Sequence, residues 1–223
     1  ANGVAEITYD KIYQAAAGGG GGGGAMVKLE NIEVSSGNTY TLNVGAGGKA
    51  GAVNSNGFDG GESSVTFEAI TYSLSGGKGG KYGTASSSTE ILIQGVGGDG
   101  GIVSTNSSDT TDVTYNNGSK GSDAESVVDN SVVYGSMGGT GGTSGIGSKG
   151  GCGGYTVLDG FVCKNLQTNG SSVSFAQPSQ SATDYGSAGA GGGGGGWDMS
   201  QPNTSGLGAV GQNGYVFIYW LEN

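Results

Sequence analysis

The chain has 223 residues, of which 53 are Gly and only 2 are Pro, and its formal net charge is −10. Collagen is excluded because it combines Gly at every third position with abundant Pro. The 8 basic residues are all Lys and His is absent, so the chain lacks the commonest general base and metal ligand. The acidic balance argues against nucleic acid as a partner, and no apolar run is long enough for membrane insertion. We therefore expect a protein that is not an enzyme, with no cofactor and no metal.

Short blocks rich in β-branched and aromatic residues predict strands, and these blocks are too short for helices. In chain order they are 4–13, 26–34, 39–44, 64–72, 90–94, 127–134, 155–163 and 215–221. The turn residues 35–38 predict a hairpin between the second and third strands. The aromatic terminal strands 4–13 and 215–221 are expected to pair as a base that closes a single domain over 1–223.

Glycines fill the spaces between the strands with a three-residue period, which is clearest in 138–154. This period matches the polyproline II conformation, which has three residues per turn and no internal hydrogen bonds. Its backbone groups must then be paired laterally with neighbouring copies. Flexible linkers are the alternative interpretation, but linkers need no three-residue frame. The sequence therefore predicts an all-β and irregular fold, with short antiparallel strands, a bundle of polyglycine II helices and almost no α-helix.

Three polar segments, 102–123, 166–185 and 197–205, are predicted to be exposed loops. Within them, aromatic side chains stand beside amide and carboxylate groups, a combination that suits recognition of sugars or proteins. The candidate receptor-binding residues are Tyr115, Asn116, Asn117, Asp184, Tyr185, Trp197, Asp198 and Met199. The alternative is that each ring covers bare backbone of the glycine bundle. We prefer this alternative for Tyr115 and Tyr185, and both interpretations stay open for Trp197.

Two further features of the sequence bear on possible chemistry. Cys152 and Cys163, separated by ten residues, could meet across a predicted turn. A disulfide and a pair of buried thiols are both consistent with that spacing. Residues 95–100 match the G-x-G-x-x-G pattern of dinucleotide sites. No helix is predicted after them, and such matches arise by chance at this glycine density.

Several blocks together carry a resemblance to a known family. These are 18–24, 27–34, 37–48, 60–64 and 76–80, with the ending 211–220. They resemble the glycine-rich domain that recurs in tail fibre and tail tip proteins of bacteriophages. The middle of the chain matches only by its glycine pattern. Ser36 and Gly37 stand where the family usually has Pro-Gly, and the central loops are long.

The resemblance implies a non-catalytic bacteriophage virion protein, a tail fibre or tail tip module that binds a receptor through loops on a rigid polyglycine core. The implied location is the virion. The implied partners are a bacterial cell-surface glycan or outer surface protein, together with other virion proteins. The alternative is a purely structural virion protein, such as a fibre spacer or a capsid decoration, that binds only other virion proteins.

Overall fold

The structure is a computed structural model, and it describes residues 18–52, 55–67, 69–85, 92–108, 111–129, 132–147, 153–154, 161–162 and 208–218. Within these ranges the chain forms twelve short strands and no helix. The predicted all-β fold with short antiparallel strands is therefore confirmed. The strands are β1 (Met26–Leu29), β2 (Thr41–Asn43), β3 (Ser63–Phe67), β4 (Ile70–Leu74), β5 (Thr84–Ala85), β6 (Leu92–Ile93), β7 (Val103–Thr105), β8 (Val113–Asn116), β9 (Glu125–Asp129), β10 (Val132–Met137), β11 (Gly153–Gly154) and β12 (Phe161–Val162).

All described strand pairs are antiparallel, and most of the sheets contain only two strands. The largest sheet has four strands in the order β2-β3-β4-β7. The other pairs are β1 with β8, β5 with β6, β9 with β10, and β11 with β12. The β9–β10 register shifts between Val133 and Gly135. These sheets are too small to form a globular core by themselves.

In the described part of the chain, eight glycine-rich segments precede, connect or follow the strands and run alongside one another. We number them in chain order: segments I (18–25), II (45–51), III (57–61), IV (75–81), V (95–102), VI (118–124), VII (138–145) and VIII (208–214). They are connected by backbone hydrogen bonds at every third residue. For example, segment I donates to segment IV from Gly19, Gly22 and Ala25 to Lys81, Lys78 and Ser75, at 2.8, 2.8 and 3.4 Å.

Segment I is central to this arrangement because it bonds to four others. Its N–H groups donate to segments IV and VI, and its carbonyls accept from segments V and VII. Close contact explains the glycines: a Cβ at Gly20 or Gly23 would overlap the carbonyl of Thr140 or Thr143 in segment VII. The three-residue period is the one expected for polyglycine II, whose helical conformation itself stays a prediction.

The strand pairs continue the register of the glycine segments. Gly23 donates to Ser119; Met26 of β1, three residues after Gly23, lies opposite Asn116 of β8, three residues before Ser119. Four other pairs of bonded segments continue in the same register into a strand pair. Segments II and III continue into β2 and β3, and segments III and IV into β3 and β4. Segments IV and V continue into β4 and β7, and segments VI and VII into β9 and β10. Segments IV and V also continue at their other ends into β5 and β6.

This continuity divides the molecule into two ends. Strands β1, β2, β3, β4, β7 and β8 lie at one end of the segments, whereas β5, β6, β9 and β10 lie at the other. We call the connecting residues beyond the first group the loop end; they are 30–40, 69, 106–108 and 111–112.

The predicted hairpin between 26–34 and 39–44 is wrong. Its turn exists, since Asn38 N–H donates to the Ser35 carbonyl at 3.2 Å and Gly37 has a φ of 86°. However, β1 pairs with β8 and β2 pairs with β3. The physical reason is the shared register. Each strand continues a glycine segment, and where two glycine segments are hydrogen-bonded, the strands that continue them pair with each other.

Other strand predictions need adjustment. The predicted strands 64–72 and 127–134 are each a hairpin, β3–β4 and β9–β10. The predicted exposed loop 102–123 contains β7, β8 and most of segment VI, so only its middle projects at the loop end. No strand is assigned to 215–218. The predicted strand 4–13 and the loops 166–185 and 197–205 lie outside the described residues, so the terminal pairing stays a prediction.

Hydrophobic burial is small in the described part of the chain. Its buried hydrophobic residues are Val65, Tyr72 and Ala124. Val65 and Tyr72 face each other across β3 and β4, close to the loop end. The larger part of the bundle is therefore held together by backbone hydrogen bonds and close glycine contacts rather than by an apolar core.

Candidate interaction surface

The β1–β8 ladder ends at the loop end in two residues of unusual backbone conformation. Asn31 has a φ of 52° and Asp112 a φ of 57°, the two positive values for non-Gly residues among those described. Asn31 Nδ2 donates to Asp112 Oδ1 at 3.2 Å, and Glu30 N–H donates to the Asp112 carbonyl at 2.9 Å. Non-Gly residues rarely adopt this conformation, and such strain collects at turns and functional sites. This exposed pair is the first candidate for a recognition site.

Neighbouring turns at the loop end are also fixed by side chains. Asn106 Oδ1 accepts from the Thr71 N–H at 2.8 Å, while Asn106 Nδ2 donates to the Ala69 carbonyl at 2.9 Å. The Tyr40 hydroxyl accepts from the Ser35 N–H at 2.9 Å, closing the turn before β2. These bonds hold the loops in one geometry relative to the glycine segments.

The structure places three of the sequence-predicted site residues on or beside β8. Tyr115 is half-buried, and its ring lies 6.3 Å from that of Tyr72. Its hydroxyl is buried and has no hydrogen-bond partner. Asn116 is exposed, and Asn117 Oδ1 accepts from the Val103 N–H at 3.2 Å. Tyr115 therefore packs beside Tyr72 and Asn116 is exposed, while the receptor-binding role of these residues and the covering of glycine backbone by the Tyr115 ring both stay predictions.

The remaining predicted site residues lie outside the described residues: Asp184, Tyr185, Trp197, Asp198 and Met199. Cys152 and Cys163 also lie outside them, so the disulfide and the thiol pair both stay open. The pair Asn31 and Asp112 was missed by sequence reasoning. The available signal was weak: Asn and Asp tolerate positive φ better than other non-Gly residues, but their pairing joins residues 81 positions apart.

Two carboxylates take the place of backbone acceptors in the glycine bundle. Asp59 Oδ1 accepts from the Gly79 N–H at 2.8 Å, and Asp59 Oδ2 accepts from Lys78 Nζ at 3.0 Å. The hydrogen bond from Gly79 lowers the pKa of Asp59 below its ordinary 3.8; slight burial opposes this and Lys78 reinforces it. Asp59 thus satisfies the Gly79 N–H, which bonds to no glycine segment among the described residues.

Asp123 repeats this arrangement between segments VI and V. Its Oδ1 accepts from the Gly97 N–H at 2.8 Å and from Lys120 Nζ at 3.0 Å. The bond from Gly97, followed by that from Lys120, lowers the pKa of Asp123 below 3.8. The same arrangement, a carboxylate that accepts from a glycine N–H and a lysine ammonium, therefore occurs at two places in the bundle.

A family model described as a glycine-rich domain matches residues 10–221. The chain belongs to this family. No curated protein matches the chain. The sequence resemblance is therefore confirmed at the level of the glycine-rich domain, while its connection with phage tail fibres is a matter for proposal.

The glycine-rich domain also exposes apolar side chains beside the edge strand β2. Leu42 and Val44 are 40% and 47% exposed. Gly214, at the end of segment VIII, lies against Val44 and donates to the Gly45 carbonyl at 3.1 Å. The chain then continues through exposed residues, of which Phe217 is 76% exposed. Among the described strands β2 is at the edge of its sheet, and an edge strand with apolar neighbours suits contact with another protein.

Other kinds of site find little support in the described part of the domain. No group of three or more His, Cys, Asp or Glu residues there is placed to hold a metal ion. Among the same residues, no helix has the length and apolar character needed to span a membrane. Residues 95–100, which match the dinucleotide pattern, belong to segment V and lead into β7 rather than a helix.

Proposed function

We propose that this glycine-rich domain is a non-catalytic bacteriophage virion protein, a tail fibre or tail tip module that binds a receptor through its loop end. The observation that carries the proposal is the fixation of that end. The strained pair Asn31 and Asp112 and the cap formed by Asn106 each hold a loop by side-chain hydrogen bonds. A rigid support reduces the entropy lost when displayed residues bind a partner.

The proposed partner is a bacterial cell-surface glycan or an outer surface protein, and the proposed location is the virion. The exposed polar groups at the loop end are amides, hydroxyls and the carboxylates of Glu33 and Asp112, which suit hydrogen bonding to sugar hydroxyls or peptide groups. Ile32 and Val34 are exposed beside them. Repetition of the module on a symmetric particle would add avidity, so each single contact can be weak.

The test is binding of the purified, fluorescently labelled chain to a panel of bacterial strains. The decisive variant is the double change Asn31→Gly and Asp112→Gly. Glycine adopts the positive φ of both positions without strain, so the variant removes two exposed side chains while retaining the backbone course. Glu125→Gln is the matched control, because it removes an exposed carboxylate at the opposite end of the segments.

We expect strain-specific binding that the double variant loses and the control retains. Binding that survives in the double variant would place recognition elsewhere, for example at 166–185 or 197–205. A folded chain that binds no strain would contradict the receptor-binding proposal.

A purely structural virion role is the second candidate, and the exposed apolar edge beside β2 favours it. In that role the edge strand and Phe217 would contact another virion protein. Loss of co-assembly in a Phe217→Ser variant, with cell binding absent in the parent chain, would support this candidate over the first.

A further inference from the structure

The glycine segments leave a cavity beside the junction of segments I and IV. It is lined by segments I, II, III, IV and VIII. Neighbouring members of this set are hydrogen-bonded in sequence, I to IV, IV to III, III to II and II to VIII. The cavity is therefore surrounded on five sides by bonded glycine segments, in the place where a further segment would complete the arrangement.

Segment V shows how the opposite side of the same junction is filled. It donates to segment I, from the Gly98 N–H to the Gly20 carbonyl at 2.7 Å. It accepts from segment IV, from the Lys78 N–H to the Asp99 carbonyl at 2.8 Å. A segment packed on this junction thus donates hydrogen bonds to a row of carbonyls of segment I and accepts them from a row of N–H groups of segment IV.

The cavity side offers the same two rows without a partner. In segment I, two of every three carbonyls accept hydrogen bonds from segments V and VII. The remaining row of carbonyls is that of Gly19 and Gly22. In segment IV, Ser75, Lys78 and Lys81 donate to segment V and Gly79 donates to Asp59, while the N–H groups of Gly77 and Gly80 form a third row. None of these four groups has a hydrogen-bond partner among the described residues. Gly19, Gly22 and Gly80 are nevertheless buried, and buried backbone groups are normally paired.

The carbonyls of this junction show which bond is missing. The Lys78 carbonyl lies against the Cα of Gly98 and also accepts the Gly22 N–H. The Gly22 carbonyl lies in the same way against the Cα of Gly77, but it accepts no N–H among the described residues. Contacts through Cα–H are weaker than N–H hydrogen bonds. The Gly22 carbonyl therefore lacks one N–H donor that the Lys78 carbonyl has, and the cavity is the place that such a donor would occupy.

We propose that this cavity binds an extended glycine segment of another polypeptide chain. Its N–H groups donate to the carbonyls of Gly19 and Gly22, and its carbonyls accept from the N–H groups of Gly77 and Gly80. Glycine is required because segments of this bundle approach so closely that a Cβ at Gly22 or Gly77 would overlap a neighbouring carbonyl. This inference goes beyond receptor binding, since it assigns a second site on the side of the domain.

Amide hydrogen exchange measured by NMR on the whole chain tests the proposal, with hexaglycyl-lysine as the probe. In the free protein we expect the Gly77 and Gly80 amides to exchange faster than those of Gly22 and Gly23, which donate at 2.8 and 2.9 Å. Saturating peptide should slow the Gly77 and Gly80 amides by about tenfold or more, because a new hydrogen bond must open before exchange.

Two control peptides separate the causes of that protection. Hexa-alanyl-lysine keeps the N–H donors but adds Cβ atoms, and hexasarcosyl-lysine lacks the donors. We expect neither to slow exchange. Equal protection by either control, or no protection by hexaglycyl-lysine, would overturn the proposal. Amides of Gly77 and Gly80 that already exchange slowly in the free protein would also overturn it, because the chain itself would then fill the cavity.

A variant of the protein checks the location of the peptide. A Cβ at Gly57 would lie 3.5 Å from the Gly80 nitrogen, an ordinary contact that the fold can accept. We expect Gly57→Ala to fold and to abolish the protection of Gly80 by hexaglycyl-lysine, because its methyl group covers that amide. Undiminished protection of Gly80 in this variant would place the peptide outside the cavity.

Discussion

The glycine segments and the strand end of this domain, by which we mean strands β1, β2, β3, β4, β7 and β8 at one end of the segments, use the same register but different sources of stability. In the segments, backbone groups form hydrogen bonds at every third residue, and neighbouring segments contact each other at their Cα atoms. At the strand end, bonds follow β ladders and side chains supply contacts, including the buried Val65 and Tyr72. Added volume should therefore damage the segments most, whereas lost volume should damage the strand end most.

Addition of a single methyl group to the glycine bundle should have the largest effect. A Cβ at Gly77 would overlap the Gly22 carbonyl, and both atoms belong to backbone that cannot rotate away. We expect Gly77→Ala to reduce the free energy of unfolding by about 3 kcal/mol or more, as severe overpacking does. Urea denaturation followed by tyrosine and tryptophan fluorescence measures the change.

The control for this prediction is Gly57→Ala, whose Cβ has ordinary contacts at 3.5 Å. Replacement of an unstrained Gly by Ala stabilises by about 0.4–1 kcal/mol through the unfolded state. If both variants lost stability equally, the close contacts between segments would not be the reason for the glycines.

Removal of volume should matter at the strand end. Val65 is 8% exposed and lies at the centre of the four-stranded sheet, between β2 and β4. We expect Val65→Ala to lower the free energy of unfolding by about 2 kcal/mol, through lost burial and the cavity that remains. Val44→Ala, just after β2 and 47% exposed, should change it by less than about 0.5 kcal/mol. A similar loss in both variants would contradict the presence of a core at this end.

The two regions also differed in how far the sequence could predict them. The three-residue glycine frame correctly indicated lateral packing, because close approach of backbones admits no Cβ and leaves that period visible in the sequence. The strand partners were not visible. Strand β1 pairs with β8, far away in the chain, and its register is set by the packing of segments I and VI rather than by the turn that follows it.

The turns and the site were less predictable for a related reason. Strand β3 ends at Phe67 and β4 begins at Ile70, and the sequence between them carries no Gly, Pro or Asn turn signal, so the pattern predicts one strand over 64–72. Asn31 and Asp112 become a pair only when β1 and β8 are aligned. Local composition therefore predicted the architecture, while features that depend on the pairing of distant segments required the structure.

Segments VI and VII offer a comparison within the bundle, because side chains assist their backbone bonds. The Ser122 N–H donates to the Thr140 carbonyl at 2.9 Å, and Ser122 Oγ accepts from the Thr140 N–H at 2.7 Å. We expect Ser122→Ala to lower the free energy of unfolding by about 1 kcal/mol, the typical net value of a hydrogen bond. Ser108→Ala, at an exposed position of the loop end, should have almost no effect. Equal changes would show that the Ser–Thr bonds contribute nothing.

The smallest expected effect is electrostatic and concerns the two carboxylates that replace backbone acceptors. The pKa values of Asp59 and Asp123 are lowered in the folded domain, chiefly by the N–H groups of Gly79 and Gly97. Above the unfolded-state pKa both groups are ionised in both states, and the stabilisation is fully present. As the pH falls through the folded-state pKa values, the stabilisation is lost, because the unfolded chain binds protons first.

Denaturation midpoints measured from pH 5 down to pH 2 test this difference. We expect the parent chain to lose stability over this range, and a variant combining Asp59→Asn and Asp123→Asn to lose less of it. The amide oxygen of Asn can still accept from Gly79 or Gly97, so the variant isolates the charge from the hydrogen bond. Asp99→Asn, on segment V, serves as the control and should follow the parent curve. Identical curves for all three chains would mean that the carboxylates act only as neutral acceptors, and that the bundle depends on backbone geometry alone.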